Sequence, residues 1–346
     1  MRDGRAARRA HYVVGPAYDW LLFLSPPVLA LVTGMAISGT TFSEGILVVG
    51  DLETTAAAVV IGTIIHAHLV AVFFRSHANG NIFRLYPMRF VTVPILLWLA
   101  ITWSEWIAVI ASVVATFWDV WHSGAQTFGF ARIYDRNAGA PADQGRRLDY
   151  WLNQLLYAGP ILAGATMIDH FEAFEEFDDV GATFFTHIPA QMQSHQGYVA
   201  WLVIAGGSVF LAYYVLSYWR LARQGYRVSP LKIYLLVSTG VCSIYTWGFN
   251  TWGEAFFIMN LFHAVQYLGL VWAVEHRRIM DRLRLAGRRR GKPLAATAFL
   301  GSVTAYGVTV TVVDPAIHAF WAFTLVVSLM HFWYDAFVWS VRKRQV

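Results

Sequence analysis

Cysteine and charged residues are both scarce in this sequence. The 346 residues contain a single cysteine, Cys242, which lies within an apolar run. A disulfide framework, a CxxC redox pair and a cysteine-rich zinc site are therefore excluded. Charged residues make up only 14% of the chain and apolar residues 57%, with a mean hydropathy of +0.47. This composition excludes an ordinary soluble domain and a disordered chain, and it predicts an integral membrane protein.

The basic residues do not form one soluble patch. The net charge of +5 and the isoelectric point near 9.3 could indicate a nucleic-acid partner, but only if those residues shared one face. Instead they are distributed over the two termini and the connections that follow the second, fourth, sixth and eighth apolar stretches. No nucleic-acid partner is expected.

Ten apolar stretches are candidates for transmembrane helices, which need about 20 residues each. All 26 Lys and Arg residues lie at the termini or in alternate connections, and the remaining connections carry acidic residues. Because basic residues collect on the cytoplasmic side, the sequence predicts an all-α polytopic membrane bundle of about ten transmembrane helices, with both termini cytoplasmic. Residues 1–346 are expected to form a single transmembrane domain in a bacterial inner membrane. The predicted spans are Tyr18 to Ile37, Thr54 to Phe74, Phe90 to Trp103, Ile107 to Phe130, Trp151 to Ile168, Tyr198 to Leu221, Leu231 to Phe249, Ala255 to Val274, Leu294 to Val312 and Ala316 to Val338.

Several ionisable side chains lie inside these spans, where burial in lipid makes each one a functional candidate. They all belong to the second, fourth, eighth and tenth spans. On each of these spans a histidine precedes the first following arginine by 9 to 14 residues. At about 1.5 Å per residue, four helices would present imidazole at similar depth. The residues are His66, His68, His122, His263, His331, Asp119 and Asp335.

Polar partners accompany the histidines at helical spacing. Asp119, His122 and Gln126 share one helix face, as do Asn260, His263 and Gln266, and His331 and Asp335 are an i, i+4 pair. Such neighbours can hold the second ring nitrogen of a metal-ligating histidine. His66 and His68 point in nearly opposite directions on a regular helix, and depth favours His66 as the one that faces the site.

This set of side chains predicts a metal site. Imidazoles with one or two carboxylates suit iron, copper or zinc, and a site among apolar helices is accessible to lipid-soluble substrates and O₂. The sequence therefore predicts a His-ligated membrane oxidoreductase, with non-haem iron as the favoured metal and a membrane lipid, isoprenoid or other apolar small molecule as substrate. The predicted metal ligands are His66, His68, His122, His263, His331 and Asp335; the predicted cofactor-binding residues are Asp119, Gln126, Asn260 and Gln266.

Two other classes of function use the same residues. Paired imidazoles could ligate haem in an electron-transfer or haem-modifying protein. The histidines and aspartates could also relay charge in a proton- or ion-coupled transporter, or the chain could be an assembly subunit of a membrane complex. A haem absorption band would identify the haem protein, and a proton flux would identify the transporter.

The histidine-containing segments HAHLV, HSGAQ, HAVQ and HFWYD, gathered from several spans, resemble the bacteriorhodopsin-related-protein class of carotene dioxygenases in architecture and histidine usage. That resemblance implies an iron held by histidines and cleavage of a polyene. The stretches HSGAQTFGFARIYDR and HFWYDAFVWSVRKRQV are similar to a His-rich polytopic bacterial membrane family, which implies no activity. The HxxxH and HxxHH boxes of membrane desaturases do not occur.

Overall fold

A computed structural model describes residues 11–49, 52–313 and 316–339, and these residues are predominantly helical. The long helices are α1 (Pro16–Leu24), α2 (Pro26–Ile37), α4 (Ala56–Ser76), α6 (Pro87–Trp103), α7 (Glu105–Asn137), α8 (Arg146–Ala163), α12 (Gln196–Arg223), α13 (Pro230–Phe249), α14 (Trp252–Arg282), α15 (Gly291–Val312) and α16 (His318–Val338). The shorter ones are α3 (Thr41–Glu44), α5 (Gly80–Phe83), α9 (Met167–Phe171), α10 (Thr183–Thr186) and α11 (Ile188–Ser194), with a 3₁₀ helix at Glu172–Val180. The charged residues used for the topology that lie outside the described residues are Arg2, Arg5, Arg8, Arg9, Asp51, Asp314, Arg342, Lys343 and Arg344.

Every predicted span overlaps a helix, which confirms the all-helical, membrane-type character of the chain. Within the described residues, six helices are long and apolar enough to cross a membrane: α4, α7, α12, α14, α15 and α16. Counting the bent pair α1 and α2 as one span brings the number to seven, and α6 is a shorter apolar helix. The total of ten spans, the side on which the termini lie and the bacterial inner membrane stay predictions.

The first predicted span is broken rather than continuous. Its two parts, α1 and α2, meet at an angle of 48°. The last residues of α1, Trp20–Leu24, form a π-helix, and Pro26 and Pro27 follow at once. Proline supplies no backbone N–H and sterically opposes a preceding helical turn, so the helix bends here.

A short β-hairpin interrupts the expected all-helical pattern. Strands β1 (Ile46–Val49) and β2 (Leu52–Thr55) pair antiparallel, with Ile46 opposite Thr55. The Thr55 side chain then caps α4 by accepting a hydrogen bond from the Ala58 backbone N–H at 3.1 Å. β-Branched and apolar residues favour the extended conformation in this connection.

The chain divides into two compact units. Unit 1 comprises residues 1–36 and 116–262, and unit 2 comprises residues 37–115 and 263–346. The long helices α7 and α14 contribute residues to both. The single-domain expectation for residues 1–346 stays a prediction.

Unit 1 is built around α8, which packs against α12 and α13. The α8 and α13 helices run parallel. At one end the Lys232 ammonium lies 2.7 Å from an oxygen of Asp149. At the other end the Ala165 backbone N–H donates to the Gly248 carbonyl at 3.1 Å.

Unit 2 is built around α4, which packs closely against α15 and also against α16. The closest approach is at Gly307 of α15, where any Cβ atom would overlap the Thr63 carbonyl oxygen of α4. Glycine at this position therefore permits direct contact between the two helix backbones, as small residues commonly do in membrane bundles. On the other side, α16 packs against α6.

Candidate metal centre

Three buried histidines from three helices of unit 2 converge at one point. His68 is on α4, His263 on α14 and His331 on α16, and all three side chains are at most 1% exposed. One ring nitrogen from each lies within 4.8 Å of the others. The His68 ring contacts both partners edge to face, with centroid separations of 5.1 Å in each case. The helix bundle thus places three imidazoles around a common centre.

The environment of His68 is unusual for a structural histidine. Neither of its ring nitrogens has a hydrogen-bond partner of acceptable geometry among the residues that the structure describes. A buried polar atom without a partner costs about 1–3 kcal/mol. A metal ion would use one of these nitrogens and remove part of that cost. The alternative is that His68 joins two helices through a hydrogen bond. Neither of its ring nitrogens makes such a bond to the described residues.

His331 is held in a defined orientation. Its Nδ1 lies 3.1 Å from the Leu69 carbonyl oxygen of α4. Because a carbonyl only accepts, Nδ1 must carry the proton in this hydrogen bond, and Nε2 of a neutral ring then offers its lone pair. A backbone carbonyl in this role fixes both the tautomer and the orientation of a metal-ligating histidine.

A carboxylate stands beside His331. Asp335 Oδ2 lies 4.0 Å from His331 Nε2, one helical turn along α16. The other carboxylate oxygen, Oδ1, accepts hydrogen bonds of 2.8 Å from the Tyr267 hydroxyl and from the Trp339 indole N–H. These two donors fix the plane of the carboxylate. Asp335 is therefore placed where it could act as a fourth ligand or as a hydrogen-bond partner of the ligand set.

A buried ion pair lies next to this group. The Arg75 guanidinium contacts Glu275 at 2.5 Å, and both side chains are at most 3% exposed. Arg75 also lies over the Trp339 ring, 4.9 Å from its centroid, and donates to the Val338 carbonyl at 3.3 Å. The Asn79 amide donates to the same Glu275 carboxylate at 2.9 Å. Charge spacing along single helices gave no sign of this pair, because its members lie on α4 and α14.

His66 lies outside the cluster, in contrast to the sequence-based preference for it. Its side chain is half-buried, and its Nδ1 lies 2.7 Å from the Gly62 carbonyl, one turn earlier on α4. His68 is the residue of this pair that meets His263 and His331. Counting residues to the nearest arginine estimates depth but not the rotation of a helix about its axis, so it could not show which member of the pair faces His263 and His331.

The other sequence-derived candidates lie on α7 and α14. Asp119, His122 and Gln126 belong to the part of α7 in unit 1, where His122 is buried and the other two are half-buried. The Asn260 amide donates to the Phe256 carbonyl of its own helix at 3.0 Å. Gln266, on the unit 2 part of α14, is fully buried. The roles proposed for these residues stay predictions.

A second buried polar cluster, in unit 1, was missed by sequence reasoning. Lys232 lies 2.7 Å from Asp135 Oδ2 and 2.7 Å from Asp149 Oδ1, and it is 1% exposed. Arg132 pairs with Asp149 at 2.5 Å. Two cations thus balance two carboxylates. Charge spacing along a single helix does not reveal this cluster, because its members come from distant parts of the chain.

Tyrosines complete this ionic cluster. The hydroxyls of Tyr214 and Tyr218 donate to Asp149 at 2.8 and 2.7 Å, and Tyr226 donates to Asp135 at 2.6 Å. Burial, followed by the hydrogen bond to Asp135, raises the pKa of Tyr226 to about 12. Tyr226 therefore remains a protonated donor at neutral pH. We refer below to Arg132, Asp135, Asp149 and Lys232 with these tyrosines as the ionic cluster.

Comparisons with protein families, curated proteins and solved structures give no match to this chain. The resemblances to carotene dioxygenases and to a bacterial membrane family therefore gain no support from them. The functional argument rests on the geometry of the site.

Proposed function

We propose that this protein is an integral membrane metalloprotein that holds a transition-metal ion with His68, His263 and His331. The observation that carries the proposal is the convergence of three buried ring nitrogens within 4.8 Å of one another. Nitrogens that share one ion at about 2.0–2.1 Å lie roughly 3–3.5 Å apart. Small side-chain rotations would close the remaining gap. The three rings are donors of the type that iron, copper and zinc accept.

Iron is the metal we favour. Imidazole nitrogens with a nearby carboxylate, here Asp335, form the kind of ligand set that non-haem iron oxygenases use, with positions left open for O₂ and substrate. When bound in such a set, iron supplies oxidation chemistry with O₂. The residues of the chain would hold the ion and keep bulk water from it.

The substrate class follows from the surroundings of the site. The cluster lies on helices that are apolar enough to cross a membrane, and O₂ and lipid-soluble molecules partition into such surroundings. We therefore propose an oxygenase or other oxidoreductase that acts on a lipid, an isoprenoid or a similarly apolar molecule.

Haem fits this cluster poorly. The His68 ring contacts the His263 and His331 rings directly, at centroid separations of 5.1 Å. A porphyrin ligated by two imidazoles must lie between them, and direct ring contact leaves no space for the macrocycle. The proposal is therefore a non-haem centre.

The test is elemental analysis and an absorption spectrum of the full chain, purified anaerobically in detergent. The proposal expects about one iron per chain and no Soret band. A haem spectrum at comparable stoichiometry would replace this proposal with the haem alternative. Protein that carries no transition metal, even after incubation with Fe²⁺ under anaerobic conditions, would contradict a metal centre altogether.

The oxygenase assignment needs its own measurement. Iron-loaded protein in nanodiscs is expected to consume O₂ when a lipid-soluble fraction of the host membrane is added, and iron-free protein is not. Equal O₂ uptake by the two preparations, or none from iron-loaded protein with any apolar fraction, would contradict an oxygenase while leaving metal binding intact.

A further inference from the structure

The polarity of α13 is inverted relative to a helix of a soluble protein. Its exposed face carries Ile233, Val237, Val241 and Ile244, each more than 50% exposed. Its buried face carries polar side chains. The residues on that face are Lys232, Thr239, Ser243 and Thr246, all at most 1% exposed. An apolar exterior around a polar interior is the arrangement expected of a helix in lipid whose inner face lines a polar region.

The neighbouring helix α8 runs beside α13 in a constant register. Asp149 meets Lys232, a Cβ on Gly240 would lie 3.0 Å from Leu156, and the backbones of Gly164 and Gly248 touch. The residue numbers in these pairs differ by 83 or 84. Asn153 of α8 is therefore level with the segment of α13 just before Thr239.

Four buried polar atoms along these two helices have unused hydrogen-bonding capacity. Asn153 Oδ1, Thr239 Oγ1, Ser243 Oγ and the indole Nε1 of Trp247 have no hydrogen-bond partner among the described residues. Thr239, Ser243 and Trp247 follow one another at four-residue intervals, which separates them by about 6 Å along the helix axis. Leaving each atom dry would cost about 1–3 kcal/mol, and internal water commonly satisfies such atoms.

The polar line extends across most of the unit. Asp149, Asn153 and Tyr157 share one face of α8, and the Tyr157 hydroxyl lies 2.9 Å from Thr127 Oγ1. From Lys232 to Trp247 the distance along α13 is about 22 Å, compared with a hydrocarbon core of about 30 Å. We call the line formed by Asn153, Tyr157, Thr127, Thr239, Ser243 and Trp247 the polar seam.

Each end of the polar seam meets titratable groups. At one end lies the ionic cluster, where Arg132 also donates to the carbonyls of the exposed residues Pro141 and Ala142. At the other end the Trp247 ring lies 5.1 Å from the His170 ring. His170 Nδ1 bonds the Thr166 carbonyl at 2.7 Å, and burial lowers the pKa of His170.

We propose that the polar seam holds a file of internal water and conducts protons through unit 1. Gaps of about 6 Å between successive polar groups are spanned by one or two water molecules, which pass protons between hydroxyl, amide and water oxygens without net chemical change. The charges of the ionic cluster balance, so a proton entering there meets no excess positive charge. This function goes beyond the proposed metal centre and uses none of its histidines.

Water in the seam can be detected by X-ray radiolytic footprinting of the wild-type chain in nanodiscs. Radicals generated from internal water oxidise the side chains that it touches. Tyr157 is 2% exposed and Tyr334, in unit 2 and outside the seam, is fully buried. The proposal expects clear oxidation of Tyr157 and little of Tyr334. Equal, low oxidation of the two tyrosines would overturn the proposal.

Proton conduction is tested with the full chain in liposomes that contain a pH-sensitive dye, under a potassium diffusion potential set by valinomycin. Thr239→Val with Ser243→Ala removes two seam hydroxyls while preserving side-chain volume closely. The matched control, Ser208→Ala with Thr304→Val, makes the same changes at two exposed positions. The proposal expects proton flux in the wild type and the control, and a flux no greater than that of protein-free liposomes in the seam variant.

A dry seam gives a different pattern. In that case the seam variant would unfold at a higher temperature than the wild type, because two unsatisfied hydroxyls are gone, and its proton flux would equal that of the wild type. Either that equality or a wild-type flux no greater than that of protein-free liposomes overturns the proposal. If the seam variant fails to fold, radiolytic footprinting of the wild type still tests the proposal, because it needs no variant.

Discussion

The charge partners of Lys232 can be identified only in the folded chain. The charge pattern counts this lysine with the basic residues that follow the sixth predicted span, yet its ammonium is buried between Asp135 and Asp149. Sequence patterns identify charge partners at helical spacing on one helix. They do not identify partners that three helices bring together, so the ionic cluster could not be predicted.

Replacing Lys232 tests how strongly the ionic cluster stabilises unit 1. Lys232→Met removes one cation and leaves buried carboxylate charge uncompensated, which is expected to cost about 3–5 kcal/mol in the free energy of unfolding. Lys292→Met, at an exposed position, is the control and should change it little. The measurement is denaturant unfolding in detergent. A Lys232→Met protein as stable as the control would show that the ionic cluster contributes little.

His66 and His68 mark the limit of sequence reasoning about the site. Spacing shows that two residues two positions apart on a helix cannot both face one centre. Which of them does so depends on how α4 is rotated against its neighbours, and that rotation is set by packing such as the contact at Gly307. The sequence therefore identified the histidine pair, His263 and His331 as candidates but did not select His68.

At the scale of elements, hydropathy and charge located the helices well. All ten predicted spans overlap helices, and most differ from them by only a few residues at each end. The bounds Tyr18 to Ile37 treat the first span as continuous, although Pro26 and Pro27 lie within it. Helices α8 and α13 are not among the six long apolar helices found in the described residues. The first turn of α8 carries Arg146, Arg147 and Asp149, and α13 carries Lys232 and several hydroxyl side chains.

The packing of α4 against α15 provides a prediction for a single element. Gly307→Val would drive a side chain into the Thr63 carbonyl and force the helices apart, at an expected cost of about 1–3 kcal/mol in the free energy of unfolding. Gly301→Val on the same helix is the control, since a Cβ there meets no atom within 4 Å. Thermal unfolding of the two variants should separate them. Equal stabilities would mean that the helices do not pack this closely.

For the whole molecule, the distribution of charge predicts which parts of the chain share a side of the membrane. The 26 basic residues lie at the termini and in alternate connections, and the positive-inside rule places them in the cytoplasm. The parallel course of α8 and α13 agrees with this arrangement, because the fifth and seventh predicted spans should cross in the same direction.

Reporter fusions test that topology. A reporter fused after Val346 is expected to show cytoplasmic activity, and one inserted between Glu172 and Gln193 is expected to show activity on the opposite side. The physical reason is that reversing the orientation would place all 26 basic residues on the outer side. Both reporters on one side would contradict the odd number of spans, five, predicted between the insertion and the C-terminus.

The central claim is that His68, His263 and His331 hold one metal ion, and the metal content of two neighbouring alanine variants tests it most directly. His68→Ala removes a proposed ligand. His66→Ala makes the same substitution two residues earlier on α4, at a histidine outside the cluster. Both variants, with the wild type, would be purified anaerobically, checked for folding and analysed for iron. We expect His66→Ala to retain the wild-type iron content and His68→Ala to lose about tenfold or more, since loss of a ligand should exceed the effect of losing an outer-shell partner. Folded His68→Ala protein with the same iron content as the wild type would contradict the account.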